Sequence, residues 1–98
     1  MSISKELLDE TRLKAMLIDF PNWTIQDGCL HQKFQFKNFT AAWSFMQAVA
    51  AIAGSLNHHP DWRNVYNWVE IKLTTHDSGG ITPLDFEMAK QTDLAAKL

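Results

Sequence analysis

Apolar and polar positions recur along this chain with two different periods, and the changes of period mark out its elements. Leu13, Met16, Leu17 and Phe20 follow the i, i+3, i+4, i+7 spacing of one buried helical face. Asp9 stands where an N-cap belongs, and Pro21 stops the helix, because proline pushes the residue before it toward extended backbone. A longer stripe lies between Asn38 or Thr40 as cap and Leu56, with Ala42, Phe45, Met46, Val49, Ile52, Ala53 and Leu56 on one continuous face. Asn57 is placed to end that helix in the left-handed conformation, which asparagine tolerates better than most residues. A third helix opens with Thr82 as cap, Pro83 at its first position and Asp85 three residues after the cap, a capping-box pattern. It carries Leu84, Met88, Ala95 and Leu98 toward the C-terminus.

Elsewhere the period is two. Asp27-Gly28 predicts a type I′ hairpin turn, which needs positive φ at both central residues. The register it sets pairs Gln26 with Cys29, Ile25 with Leu30 and Trp23 with Gln32. Trp23, Ile25, Leu30, Phe34 and Phe36 then share one face, and Cys29, His31, Lys33 and Gln35 the other. Two more strands are expected over Trp62 to Tyr66 and Trp68 to Thr75. In the second, Val69, Ile71 and Leu73 alternate with Glu70, Lys72 and Thr74, so one sheet face is wet or contacted from outside the core. Asp77-Ser78-Gly79-Gly80 reads as a loop. The order α-β-β-α-β-β-α predicts an α+β fold, a four-stranded antiparallel sheet with helices packed on one face. Residues 1–8 read as an N-terminal tail and 9–98 as a single domain.

Composition narrows the classes. Ninety-eight residues make one core, 46% of them apolar and 20% charged, which is too apolar for disorder. So short a domain has a thin core that self-association would help. A formal charge of −2 argues against a phosphate-neutralising surface and hence against nucleic acid. Cys29 is the only cysteine, so no intrachain disulfide is expected and a reducing compartment fits best. The longest unbroken apolar run, Ala48 to Ala53, falls far short of the ~20 residues of a bilayer span. With no apolar stretch of signal-peptide length behind the N-terminus, a soluble cytoplasmic protein is expected.

Three of the four histidines fall at element ends: His58 and His59 where the long helix stops, His76 where the last strand stops. Imidazole titrates near ~6.5 and exchanges protons at neutral pH with little tuning. A His-His pair in a turn is, by itself, more often a solvated loop than a site. Pro60 biases His59 toward extended backbone, in which neighbouring side chains diverge, so both rings meet one ligand only if the chain bends at the helix exit. Zinc is the weaker alternative, since adjacent histidines aim poorly at one metal and no i, i+4 pair lies on a helix. His31, opposite the apolar stripe, reads as surface, and Asp85 is accounted for as a helix cap. Trp23 reads as core, while Trp43 and Trp68 lie off the apolar faces, as at an interface. Trp62, close behind the histidine pair, would wall a flat aromatic ligand or simply pack. No Gly-rich phosphate loop or Gly-x-Ser-x-Gly elbow is present, and nothing marks Cys29 as a nucleophile.

The run His58-His59-Pro60-Asp61-Trp62-Arg63-Asn64-Val65-Tyr66-Asn67, then Leu73-Thr74-Thr75-His76-Asp77 and Asp85, closely resembles the signature of the pterin-4a-carbinolamine dehydratase family. In that signature a His-His-Pro is followed six residues on by an aromatic, ten further by a histidine and nine further by an aspartate. Tyr66, His76 and Asp85 occupy those places. One position departs: the family usually carries a charged residue four before the first histidine, where this chain has Gly54. The resemblance implies a lyase that dehydrates 4a-hydroxytetrahydrobiopterin to quinonoid dihydropterin and water by histidine acid–base chemistry, recycling the cofactor of aromatic amino acid hydroxylases. His58, His59 and His76 would be catalytic. Trp62, Asp85 and Pro60 would contact substrate, with Asp85 equally explained as a cap. The pterin would be the small-molecule partner, no cofactor or metal would be needed, and a homodimer or homotetramer is implied. Two other functions fit the same resemblance: a binding module that stabilises dimers of a transcription factor, and a homologue serving another pterin pathway such as molybdopterin synthesis.

Overall fold

The structure, a computed structural model, describes residues 3–97. Its elements run α1 (Glu10–Leu17), β1 (Thr24–Gln26), β2 (Cys29–Gln35), α2 (Phe39–Leu56), β3 (Asp61–Val65), β4 (Trp68–Leu73), a 3-10 turn at His76–Ser78, and α3 (Pro83–Ala96). The strands form one antiparallel sheet in the spatial order β1-β2-β4-β3. This is the α+β layer that the alternating periods predict.

Local chemistry sets the boundaries. The Asp9 side chain accepts from the Arg12 N–H at 2.8 Å and starts α1, and Asn38 accepts from the Ala41 N–H at 2.9 Å and starts α2. Asp27 and Gly28 both have positive φ, 55° and 75°, so the hairpin turn forms and pairs Ile25 with Leu30 and Gln26 with Cys29. β3 is displaced one residue from its expected span, because Tyr66 takes φ 49° and turns the chain into β4. β4 ends at Leu73, before the expected Thr75, because Thr75 pairs instead with Gly80 across the 3-10 turn.

The core lies between the sheet and the helices. Leu30, Phe34, Val69, Ile71 and Leu73 form its sheet face, covered by Ala42, Phe45, Val49 and Ala53 of α2 and by Met88 and Ala89 of α3. Each fully buried aliphatic chain contributes roughly 1.5–3 kcal/mol. Phe45 meets Phe34 and Phe36 at ring separations of 4.8 and 4.9 Å. α2 is the one described helix long and apolar enough to cross a bilayer, and its apolar stripe is seated on the sheet. α3 is buried on more sides than its pattern foretells, since Phe20, beyond the end of α1, sets its ring edge-on to Phe86 at 5.1 Å. Leu98, expected on the same helix, lies outside the described residues.

Period two also places Gln32 on the inner sheet face, where a polar side chain needs a partner. Asp93 of α3 supplies it. One carboxylate oxygen accepts from Gln32 Nε2 at 3.1 Å and the other from Trp23 Nε1 at 3.0 Å, tying hairpin to helix.

Two expectations are corrected, Ile25 and the N-terminal tail. Ile25 is 41% exposed, because β1 is a short edge strand outside the area that α2 and α3 cover. His31 faces outward as expected, and its Nε2 lies 2.9 Å from Glu70 Oε2 on the neighbouring strand. That hydrogen bond holds the Glu70 carboxyl below the usual carboxylate range. Residues 4–8, a tail by sequence, are tied down: Leu8 is buried and donates its N–H to Ile81 O at 3.0 Å, while Ser4 O accepts from the Leu84 N–H. Trp68, on the outer face, carries Lys33 Nζ 4.2 Å above its ring.

Replacing Asp93 with Ala strands the Trp23 and Gln32 donors and is expected to cost about 2 kcal/mol. Asp93→Asn, which keeps one acceptor, is expected to lose less. Urea unfolding of both variants measures the difference.

Candidate active site

Two distant stretches meet where α2 stops and β4 ends. At the helix exit Asn57 adopts φ 50°, ψ 45°, its N–H bonding Gly54 O while the His58 N–H bonds Ala53 O at 3.0 Å. This pair of bonds is a Schellman closure, and it supplies the bend that adjacent histidines need to share a ligand. His58 turns inward, only 11% of its side chain exposed, while His59 remains exposed. From the other stretch, Thr75 accepts the N–H groups of Ser78 and Gly79, and the resulting 3-10 turn displays His76 at its start.

Beneath them lies Asp85, fully buried. Its place three residues after the cap of α3 points the carboxylate back at the unpaired N–H groups of the helix start, where a negative charge is favoured. Oδ2 accepts from the Thr82 N–H at 2.9 Å and from the Thr75 hydroxyl at 2.8 Å, and Oδ1 lies 2.5 Å from His58 Nε2. These partners offset the cost of burying the carboxylate. Thr82 and Asp85 form the capping box that the sequence predicts, and the Thr82 hydroxyl also lies 2.8 Å from Thr75 Oγ1.

His58, His59 and His76 all line one cleft of about 310 Å³, together with Lys5, Asn57, Thr74, Thr75 and Asp77. His76 also borders a neighbouring hollow that contains Cys29. Burial pushes the Cys29 thiol up, away from the reactive thiolate. A larger hollow of about 380 Å³ between α2 and the end of α3 carries no titratable side chain. Among the described residues no three His, Cys, Asp or Glu side chains converge closely enough to hold a metal ion.

Not every expected site residue is in the cleft. Trp62 packs against the core and borders a separate groove with Asp61, Arg63, Glu70 and Lys72, since strand alternation turns it away from His59. Pro60 is half-buried and outside the lining. Tyr66 sits exposed at the far end of β3. Asp85 is not in the lining itself but touches two residues that are, His58 and Thr75. Lys5, Thr74, Thr75 and Asp77 are lining residues that the sequence reading missed. For the last three, adjacency to His76 was an available signal; for Lys5 there was none. A Cβ at Gly54 would meet nothing within 4 Å, so no steric demand requires glycine there.

Fold and cleft together define a small α+β protein with three imidazoles along one cleft, one of them set on a buried carboxylate, an arrangement suited to exchanging protons with a bound small molecule. The chain belongs to the pterin 4 alpha carbinolamine dehydratase family, whose model matches residues 6–95. A Rhodospirillum rubrum protein is 48% identical over 88% of this chain and 92% of its own length, and one from Solibacter usitatus is 44% identical over 91% and 94%. Both bear the name "Putative pterin-4-alpha-carbinolamine dehydratase". The crystal structure of a transcriptional coactivator/pterin dehydratase from Brucella melitensis superposes with a TM-score of 0.88 at 36% identity, covering 91% of this chain and 97% of the other. A pterin dehydratase-like RuBisCO assembly factor of the alpha-carboxysome shares the fold, with a TM-score of 0.67 at 23% identity over 76% and 89% of the two chains.

Asp85→Ala removes the acceptor for Thr75, Thr82 and His58 at once and is expected to cost about 2–4 kcal/mol. His59→Ala and His76→Ala, on exposed side chains, should change stability by less than about 0.5 kcal/mol. Chemical denaturation of the three variants separates the roles.

Proposed function

We propose that this chain dehydrates a pterin-4a-carbinolamine to the quinonoid dihydropterin and water. The observation that carries this reading is the single cleft where His58, held by buried Asp85, faces the same space as His59 and His76. In the reaction the C4a–O bond breaks and its electron pair leaves with the hydroxyl, which takes a proton to become water. N5 gives up its proton, and the electron pair of that N–H bond becomes the new bond between N5 and C4a. No electrons are exchanged with an outside partner, so proton donors and acceptors suffice. His58 and His76 exchange these protons and His59 orients the ring. The dehydratase names of the relatives support the substrate class. Trp62 and Pro60 have no part in this reading, because neither borders the cleft.

The test is direct. Purified protein should accelerate loss of the carbinolamine over the uncatalysed rate. The double variant His58→Ala/His59→Ala should lose about a hundredfold or more of that acceleration while keeping its circular dichroism spectrum. Parental turnover by the double variant would overturn the assignment.

Self-association belongs to the same proposal. α2 carries no charged residue, and Phe39 and Trp43 stack on its outer side with 46% and 50% of their surfaces exposed. An uncharged apolar face is complementary to itself, as a two-fold interface requires, and offers no charge pattern by which to select a different protein. Light scattering should find an oligomer for the parent and a monomer for Trp43→Glu. A monomeric parent at assay concentration would remove this part of the proposal.

A further inference from the structure

We propose that Thr75 and Thr82 are positioning residues whose hydroxyls, acting through Asp85, fix a proton on Nε2 of His58 and leave Nδ1 to the cleft. The consequence for turnover rests on the dehydratase reading; the state of the ring does not.

The argument is a count of protons. A threonine hydroxyl has one to give. That of Thr75 goes to Asp85 Oδ2 at 2.8 Å, because an ionised carboxylate only accepts. The 2.8 Å contact between the two threonine oxygens must therefore use the proton of Thr82. With the Thr82 N–H added at 2.9 Å, Oδ2 has two donors, and Oδ1 is left to face His58 Nε2 at 2.5 Å. An oxygen that only accepts requires a proton on that nitrogen. The chain thus has one direction: Thr82 to Thr75 to Asp85, with His58 donating from the other side.

Its members are buried, Thr82 and Asp85 at 0% exposure and Thr75 at 5% on the wall of the cleft. The other ring nitrogen faces differently. Thr92 is the one described residue with a buried side-chain polar atom lacking a partner, and Nδ1 has no hydrogen bond, so Nδ1 reaches solvent in the cleft. A ring presented this way enters as the base. It takes a proton on Nδ1, and the resulting cation is stabilised by Asp85 at its back. Protonating the departing hydroxyl then falls to a different group, and His76 and His59 border the same space.

Nitrogen-15 and proton NMR of the His58 ring, run beside steady-state dehydration kinetics, tests this. In the parent the ring should be the Nε2–H form, with that proton protected from solvent exchange. Thr75→Val, which keeps the shape and removes the hydroxyl, should speed exchange of the ring proton and lower kcat by about tenfold, leaving KM within about twofold. Thr82→Val should act in the same direction. Thr75→Ser, which restores the hydroxyl without the methyl, should recover both ring protection and kcat, whereas a purely packing role predicts that serine fails. A parental ring protonated on Nδ1 would overturn the proposal. So would a folded Thr75→Val protein with unchanged exchange and kcat. A parent with the expected ring state, lost in Thr75→Val and restored in Thr75→Ser, but no dehydration activity would support the positioning chain while removing the proposed reaction.

Discussion

The buried carboxylate of Asp85 is the constraint on which the rest of this end of the molecule depends. It sits at the start of α3, so it satisfies the helix's own Thr82 N–H, and it also accepts from Thr75 beyond β4 and faces His58 beyond α2. One side chain thereby joins three elements that share no local sequence. A carboxylate removed from water is costly unless donors surround it, so the fold holds the donors where Asp85 needs them. What positions the cleft is the same set of bonds that keeps the helix start closed. Site geometry and local stability are therefore not separable here, and replacing this residue cannot report on either alone.

The opposite end is organised differently. Trp23 and Gln32 converge on Asp93, a second carboxylate of α3, and this clamp fixes the hairpin against the helix without bordering the cleft. α3 thus carries one carboxylate toward each end of the sheet. Between them its apolar residues, Phe86, Met88 and Ala89, fill the core. The helix is more deeply buried than its sequence pattern implies, because it is packed both by the sheet and by the Phe20 side of the chain.

How much of this was legible in the sequence follows from how local each signal is. The Asp27-Gly28 turn, the Asn57 exit and the cap at Asp9 depend on a few consecutive residues, and the structure has all three. The stripe of α2 is periodic over 18 residues, and its buried members match the pattern. Ile25 fits the same alternation as Leu30 yet is exposed, because period cannot report that a strand lies at the edge. Asp85 was readable as a cap, since its partner Thr82 is three residues away, but its contact with His58 spans 27 residues and has no local trace. The histidines were recognisable by spacing. The hydroxyls that support them were not, because a threonine at a strand end has many ordinary uses.

Gly54 shows the same difference in physical terms. Gly54 lies on the exposed side of the last turn of α2, and a Cβ there would meet nothing within 4 Å. Asp85 acts on His58 from within the protein, at hydrogen-bond distance and out of water, where electrostatic effects are far larger. Glycine in a helix costs about 1 kcal/mol relative to alanine, so Gly54 weakens the last turn of α2. That turn is closed instead by Asn57, whose left-handed geometry does not depend on any side chain at position 54.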